Sequence, residues 1–327
     1  MRILQATQQV NAAQGITPTA RAQNFYQRVL DISQFLRLSE NFRIRATEHQ
    51  SRIAEGSQTL ANRAINAEFT AADVDPAAIV SGLLKIAGFK LQFDETYETD
   101  LNLGVGIDLD RWFDDNLEDK IYDTAKAIEK LIFAGSGTSN EIEGLLTILD
   151  GTNVSGFSQT FVIDALTGSG LAGDSFDLSD PANYDVFLEL WDQWIQEVEG
   201  NMLAYVNRKM SGRLTTIFRE QKTMQRSEDQ FGNPVTVVDG INLVVLDNDV
   251  ITNTEPDNNG TPNTDTTSIV LASSNEAMYS INTNSGMRFR DVGQVQGAAK
   301  PSMDFEFRAK NEIRRQRAVR RIRNIKL

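Results

Sequence analysis

Residues 110–138 read DRWFDDNLEDKIYDTAKAIEKLIFAGSGT and contain the clearest helix signal in the chain. Apolar residues recur at helical spacing at Phe113, Leu117, Ile121, Ala125, Ile128 and Ile132. Aspartates cluster at the start and lysines lie near the end, as the helix dipole favours, and Gly135 follows as a stop. About 26 residues at about 1.5 Å each make a rod of about 40 Å. The stretch therefore predicts a long helix over about 110–134.

The segment upstream of this helix is mixed. A short amphipathic helix is predicted from apolar residues at Phe25, Val29, Ile32 and Leu36. Alone it would be marginal, so we expect it to dock on another surface. The apolar run from Asp75-Pro76 to Ala87 predicts another helix, with Asp75 as its cap. Alternation at Phe89, Leu91 and Phe93 predicts a strand.

The segment downstream combines helices with strands. Residues 135–180 are rich in Gly, Ser, Thr and Asn and predict a loop. Asp180-Pro181 opens a second helix with an aromatic stripe, and the helical period continues from Met202 to Phe218. The last third predicts a hairpin at Asp239-Gly240. Further predicted strands are Ser268–Ala272, Met278–Thr283, Met287–Val292 and Met303–Phe307. Because helices and strands do not alternate regularly, the predicted fold class is α+β.

Composition excludes several kinds of site. The 327 residues include no Cys and one His, so disulfides, thiolate nucleophiles, Cys-ligated metals and His-rich metal sites are excluded. We expect His49, which has polar neighbours, to be an ordinary surface residue. No run approaches the roughly 18 apolar residues of a membrane span. Met1–Val10 lacks the apolar region of a secretory signal, which predicts synthesis in the cytoplasm.

Charge is segregated along the chain, whose net charge is −13. Residues 1–63 carry a net +4 and residues 288–327 a net +8, while residues 64–287 carry a net −25. Nine Lys or Arg residues lie between Arg308 and Lys326. This basic tail could neutralise phosphates of nucleic acid. It lacks stacking aromatics, so we favour contact with a neighbouring subunit or a fold-back onto its own chain.

Three motifs are candidates for a chemical role. Gly135-Ser136-Gly137-Thr138 follows a helix rather than a strand, which disfavours a phosphate loop. Residues 255–266 fail as a calcium loop, since Glu255 and Thr266 stand at positions one and twelve. A paired-carboxylate site is conceivable at Asp108, Asp110, Asp114 and Asp115, but acids are expected at a helix start. We predict no catalytic, cofactor-binding or metal-binding residue.

The order of these features resembles the major capsid proteins of tailed bacteriophages, which have the Hong Kong 97-type fold. The junction after the long helix is similar to the family's Gly-x-Gly-Thr turn, spacer and Gly-Leu. It reads Phe133-Ala134-Gly135-Ser136-Gly137-Thr138 and then Glu143-Gly144-Leu145-Leu146. Ser136 and Glu143 depart from the common Asp and Pro. Other similar segments are Ala204-Tyr205-Val206-Asn207, Gly240-Ile241-Asn242-Leu243-Val244-Val245 and Arg317-Ala318-Val319-Arg320-Arg321-Ile322.

This resemblance implies a domain plan. It implies an N-terminal arm at 1–40 and an extended E-loop region at 41–95. It implies a P-domain at 96–135 and 288–327, with a spine helix at about 110–134, and an A-domain at 136–287. Lys85 and Lys90 lie where some family members form isopeptide cross-links, but no partner residues are identified.

The resemblance also implies a function. The chain is expected to self-assemble, as hexamers and pentamers, into an icosahedral virion shell around double-stranded DNA. Scaffold, portal and decoration proteins are implied partners, without a membrane, and assembly is expected in the host cytoplasm. An encapsulin-type nanocompartment subunit is the nearer alternative, and a carboxylate-based enzyme is the farther one.

Overall fold

The computed structural model describes residues 28–39, 41–44, 48–52, 79–92, 109–150, 161–171, 173–229, 232–255, 265–282, 287–294 and 301–327. Its helices are α1 (Gln34–Leu38), α2 (Leu109–Ala134), α3 (Leu145–Ile148), α4 (Tyr184–Gln196) and α5 (Arg208–Glu220), and residues 28–32 are also helical. The first strands are β1 (Asn41–Ile44), β2 (Glu48–Arg52), β3 (Ile79–Leu83), β4 (Lys85–Gln92), β5 (Val162–Asp164), β6 (Phe176–Asp177) and β7 (Met202–Asn207). The others are β8 (Met224–Glu228), β9 (Pro234–Val238), β10 (Ile241–Leu246), β11 (Thr266–Ser273), β12 (Ala277–Asn282), β13 (Met287–Gln294), β14 (Pro301–Ile313) and β15 (Val319–Lys326).

The strands form three sheets. An eight-stranded sheet has the order β5-β15-β11-β7-β10-β9-β8, with β6 also on β15. In a five-stranded sheet, β14 pairs with β4 along one edge and with β12 and then β13 along the other, and β1 lies beside β12. The third sheet is the antiparallel pair of β2 and β3. The class is therefore α+β, as predicted.

Two apolar clusters hold these layers together. The first joins α2 and the N-terminal segment to both large sheets, and the second packs α4 and α5 on the other face of the eight-stranded sheet. The predicted inner face of α2 is confirmed where side chains are described, because Ile121, Ala125, Ile128 and Ile132 are at most 5% exposed. The side chains of 109–118 lie outside the described residues.

Several predicted elements are confirmed. The long helix ends at Ala134, directly before Gly135. The Asp180 carboxylate accepts a hydrogen bond from the Ala182 amide and opens a 3₁₀ turn that leads into α4. Strands β9 and β10 form the predicted hairpin, whose turn residues Asp239 and Gly240 both have positive φ, at 50° and 78°. Such a turn matches the twist of the paired strands.

The predicted helix over Met202–Phe218 is wrong in its first third. Residues 202–207 form strand β7, which pairs with β10 on one side and with β11 on the other. Leu203 and Tyr205 face the first apolar cluster, while Ala204 and Val206 face the second. Because both faces are buried, the strand shows no polar alternation and reads as part of a helix.

Two predictions near the N-terminus also need correction. The predicted helix over Asp75–Ala87 is wrong where it is described, since 79–83 and 85–92 are strands. The predicted helix at Phe25–Leu36 is broken at Ser33, whose extended backbone caps α1 and whose hydroxyl accepts from the Leu36 amide. Phe25 lies outside the described residues.

The resemblance groups residues 288–327 in one P-domain, but the C-terminal strand β15 lies apart from β14. Strand β14 belongs to the five-stranded sheet, which contacts α2. Strand β15 instead pairs with β11 in the eight-stranded sheet. Ile322 and Ile325 fill the second apolar cluster there, on either side of Asn324, whose φ is positive at 69°.

Candidate functional site

The Gly-rich turn after α2 is a closed structural junction. A Cβ atom at Gly135 would lie 2.1 Å from the Ile142 carbonyl oxygen, and one at Gly144 would lie 2.4 Å from the Gly135 nitrogen. The Gly144 amide donates to the Gly135 carbonyl at 2.8 Å. The Ser136 hydroxyl donates to the Glu141 carboxylate. Packed backbone and a carboxylate on the turn disfavour phosphate binding here.

Asn311 of β14 fixes this junction to the five-stranded sheet. Its buried side-chain amide donates to the carbonyl oxygens of Ile132 and Glu143, both at 2.7 Å. One amide therefore satisfies a carbonyl at the end of α2 and another in the following turn. Such carbonyls have no partner within the helix and need one when buried.

The other motifs considered for chemistry are only partly described. The carboxylates of Asp108, Asp110, Asp114 and Asp115 and the His49 side chain lie outside the described residues, as does 256–264. Glu255 is buried and accepts from Ser268 at 2.8 Å, so it is not free to ligate calcium. Among the residues that the structure describes, no group of three or more Asp, Glu, His or Cys could hold a metal ion.

An ionic network around the buried Glu129 docks the N-terminal segment on α2. The Ser33 hydroxyl donates to the Glu129 carboxylate at 2.7 Å, and Lys126 contacts Glu129 at 3.0 Å and Asp247 at 2.9 Å. Arg208 contacts the other Asp247 oxygen at 2.9 Å. Burial raises the pKa of Glu129 above its ordinary value, although Ser33 and Lys126 act to lower it. For Lys126, burial acts to lower the pKa, but bonds to Asp247 and Glu129 outweigh it and raise the pKa.

The same segment covers an open stretch of strand β10. The Gln34 amide donates to the Leu243 carbonyl at 2.9 Å, and its oxygen accepts from the Val245 amide at 3.1 Å. The Gln34 side chain thus satisfies backbone groups of β10 beyond the end of β9, where no strand of the described structure pairs with them. Arg37 forms an ion pair with Asp229 at 3.0 Å, with both side chains at most 8% exposed.

An aromatic cluster completes the docking of this segment. The Phe35 ring lies 5.0 Å from Phe133 and 5.9 Å from Tyr205, edge to face. The Tyr205 hydroxyl shares a hydrogen bond with Ser39 at 2.8 Å. Burial raises the pKa of Tyr205 to about 12 despite this bond, so the phenol stays neutral. The expectation that this helix docks is confirmed, and its docking site is the body of its own chain.

The basic tail folds back on its own chain. Arg320 is 6% exposed, contacts Glu197 at 2.9 Å and donates to two carbonyls. Lys326 contacts Asp177 at 2.9 Å, and Arg317 contacts Glu199 at 3.2 Å. Burial acts to raise the pKa of Asp177, but hydrogen bonds from Ser179 and Lys326 outweigh it and lower the pKa. At these residues the structure shows the fold-back onto the same chain, one of the two contacts that the sequence favoured.

Arg321 links three parts of the chain. Its guanidinium donates to the Leu146 and Leu149 carbonyls at the end of α3, both at 3.1 Å. It also pairs with Glu255 at 3.1 Å, and both side chains are at most 12% exposed. Arg321 therefore holds the loop after α2 against β15. It has a structural role and is not a free cationic site.

Some of these residues were hard to predict from the sequence. Glu129 was detectable, because it lies four residues after Ala125 on the apolar stripe and is therefore a buried acid. No local signal identifies Gln34 or Asn311, because their partners are more than a hundred residues away in the sequence.

No helix in the described part of the chain is long and apolar enough to cross a membrane. Compared by sequence, the chain matches no family model and no curated protein. Compared by structure, it is similar to the capsid of an empty GTA particle, with a TM-score of 0.55, 13% identity and 90% of each chain covered. It is also similar to the SrpI encapsulin of Synechococcus elongatus PCC 7942, with a TM-score of 0.53, 11% identity, and 90% of this chain and 89% of that chain covered. For the capsid of the cyanophage P-SCSP1u the TM-score is 0.52, with 10% identity over 89% of this chain and 88% of that chain.

The chain has the Hong Kong 97-type capsid fold. In this fold the long α2 helix, the glycine junction at 135–144 and strand β14 lie together. Both encapsulin and phage capsid structures share it with this chain. The likeness is one of fold, so the function needs a separate argument.

Proposed function

We propose that this chain is a major capsid protein of tailed-phage type, which self-assembles into an icosahedral shell around double-stranded DNA. The observation that carries the proposal is the similarity of nearly the whole chain to subunits of three particles described as capsids or an encapsulin complex. A match over about 90% of the chain leaves little of it for another domain. The role is structural, without catalytic residues or a cofactor.

The proposed domain plan follows the capsid fold with one change. The N-terminal arm is 1–40, the E-loop region is 41–95, and the A-domain is 136–287. The P-domain combines 96–135 with the part of 288–327 that includes β14. Strand β15 moves to the A-domain because it pairs with β11 there. The antiparallel pair of β2 and β3 supports a hairpin in the E-loop region.

The proposed partners are other copies of the chain, arranged as hexamers and pentamers. Scaffold, portal and decoration proteins are further proposed partners, together with the packaged DNA. We place the protein in the virion and its assembly in the host cytoplasm. The buried ion pairs of Arg320 and Arg321 favour a tail that braces its own subunit over one that lies along the DNA.

A second candidate is an encapsulin-type compartment that encloses protein rather than DNA. The similarity to the SrpI encapsulin favours it, at a TM-score close to those of the two capsids. What separates the two candidates is the content of the particle.

The experiment has two steps. Purified protein is imaged by negative-stain electron microscopy, and we expect closed shells or ring-shaped capsomers. A sharp monomer peak near 36.4 kDa under all conditions, also in the presence of candidate scaffolds, would contradict a shell function. Native particles are then treated with nuclease and assayed for protected DNA. Protected DNA supports the phage capsid, and enclosed protein without DNA supports the encapsulin.

A further inference from the structure

A polar cavity of about 100 Å³ lies where the two large sheets are joined. Residues from three segments border it: 199–200 after α4, 273–276 between β11 and β12, and 315–318 between β14 and β15. The second and third of these segments connect the eight-stranded sheet to the five-stranded one. One water molecule needs about 10–15 Å³ of such space, so the cavity has room for a group of several heavy atoms.

A buried hydroxyl without a partner lines this cavity. Ser273 is fully buried, and its Oγ atom has no hydrogen-bond partner among the residues that the structure describes. Because buried polar atoms nearly always have a partner, this hydroxyl is available to a group bound in the cavity. Gly200 keeps the space over the hydroxyl open, since a Cβ there would lie 2.9 Å from the Ser273 Oγ atom.

Two arginines border the same cavity. The Arg317 Nη1 atom donates to the Glu199 carboxylate at 3.2 Å, and the Arg315 Nε atom lies 3.5 Å from the Glu276 carboxylate. A guanidinium has five N–H donors in a planar fork, and each of these contacts uses one nitrogen. The acid on one edge orients the guanidinium, and the other edge remains free for a ligand.

Hydrogen-bond donors outnumber free acceptors around this space. The side-chain oxygen of Asn275 accepts from the Ser274 hydroxyl at 3.5 Å, which leaves the Asn275 amide nitrogen as a further donor. Oxyanions accept several hydrogen bonds at once, and two of their oxygens match one edge of a guanidinium. A metal cation is disfavoured, because the two carboxylates are already paired with arginines and no group of three or more potential ligands exists among the described residues.

We propose that this cavity binds a small inorganic oxyanion of the phosphate or sulfate class. The Ser273 hydroxyl and the free edges of Arg315 and Arg317 donate to the anion, while Glu199 and Glu276 hold the two guanidiniums in place. The bound anion ties together both connections between the sheets and so braces one sheet against the other within a subunit. The proposal is separate from the shell function and does not require assembly.

The test measures the melting temperature of the purified chain in a phosphate series, with chloride keeping the ionic strength constant. Phosphate also stabilises proteins in general, but only a bound anion gives a rise that follows a dissociation constant. The double variant Arg315→Gln with Arg317→Gln removes both charged donors, and we expect it to weaken phosphate binding at least about tenfold. The matched control, Arg219→Gln with Arg226→Gln, removes two exposed charges away from the cavity and should bind phosphate as the parent does.

Ser273→Ala separates binding from folding. Since this hydroxyl has no partner within the described ranges, the variant without phosphate should melt no lower than the parent. It should nevertheless bind phosphate more weakly. Equal phosphate affinity of the parent, Ser273→Ala and the double variant, or no phosphate binding by the parent, would overturn the proposal. A short oligonucleotide at the same phosphate concentration should give no comparable rise, and equal stabilisation by it would overturn the inorganic source of the anion.

Discussion

Arg321 is a side chain whose loss should destabilise the whole subunit. It donates to two carbonyls of the loop after α2 and pairs with the buried Glu255. Replacing it with alanine leaves that carboxylate and both carbonyls buried without this partner. Breaking a buried ion pair by removing one partner costs about 3–5 kcal/mol. We expect Arg321→Ala to lower the free energy of unfolding by about this amount, measured by urea denaturation of the unassembled chain.

Arg317 supplies the matched control for this prediction. Its ion pair with Glu199 is exposed on both sides, at 62% and 58%. Exposed pairs contribute about 0–1 kcal/mol, so Arg317→Ala should be nearly neutral. Equal effects of the two substitutions would show that the fold-back of β15 contributes little to stability.

Glu129 should give a measurable pH dependence. Burial raises its pKa in the folded chain, so protonation is easier there than in the unfolded chain. The stability from this group is fully present below the unfolded pKa and is lost as pH rises through the folded pKa. Glu129→Gln keeps an acceptor for the Ser33 hydroxyl but cannot ionise. We expect the melting temperature of the variant, relative to the parent, to rise as the pH increases above about 4.3, the ordinary pKa of a Glu side chain.

Because Glu129→Gln and its parent share the other titrating carboxylates, the effects of those groups cancel in the difference between the two melting temperatures. Asp123 on the same helix is 67% exposed, so Asp123→Asn should show no such trend. A flat difference for Glu129→Gln across the pH series would mean that its carboxylate is fully compensated by Ser33 and Lys126.

At the scale of elements, the glycine junction after α2 has no room for a side chain. Gly144 has an ordinary φ of −70°, so its need for glycine comes from contact alone. Its Cβ would lie 2.4 Å from the Gly135 nitrogen and 2.5 Å from the Phe133 carbonyl oxygen. Forcing an extra carbon into packed structure costs about 1–3 kcal/mol. We expect Gly144→Ala to lower the melting temperature accordingly, measured by calorimetry.

Gly212 in α5 is the contrasting site. It is exposed, and nothing lies within 4 Å of the Cβ that it lacks. Alanine is better than glycine inside a helix by about 1 kcal/mol, so Gly212→Ala should raise the melting temperature. A neutral Gly144→Ala would show that the turn can open by a few tenths of an ångström, and that the resemblance at this motif has another cause.

Whether an element could be predicted from the sequence depended on whether one of its faces is exposed. The helix predicted at about 110–134 is observed at Leu109–Ala134, because one stripe is buried and the acids and lysines follow the dipole. Strand β7 is buried on both faces, so its period of two was hidden and it was read as a helix. Burial on both faces is a property of the assembled core, which no local pattern records.

The exposure of a few large apolar side chains was equally hidden from the sequence. Leu83, Ile86 and Tyr122 are ordinary apolar residues in the sequence, and only their exposure in the folded chain distinguishes them. The charge count predicted an interaction between basic ends and an acidic body, and that interaction exists. It joins parts of one chain through Arg320 and Lys326, because β15 pairs with β5 and β6, which belong to the acidic stretch 64–287.

At the scale of the whole molecule, this fold-back would change how the proposed shell interacts with nucleic acid. The net charge of −13 is repeated in every copy of the chain. Of the nine bases in the tail, Arg320, Arg321 and Lys326 are paired with acids of their own subunit. Binding a polyanion requires cations that are free to neutralise phosphates. In the proposed shell, these paired bases would not attract DNA, and the net negative charge would repel it.

We therefore expect shells assembled from this chain alone, without packaging machinery, to be empty of nucleic acid. The measurement is the ratio of absorbance at the nucleic-acid and protein maxima for purified shells, before and after nuclease and a high-salt wash. The matched variant carries Glu199→Gln and Asp177→Asn, which frees the exposed Arg317 and Lys326 from their acids and should increase salt-sensitive binding of added DNA. Parent shells that contain nuclease-protected nucleic acid would show that enough cations face the interior to collect it, and the fold-back of the tail would then not control the charge of that surface.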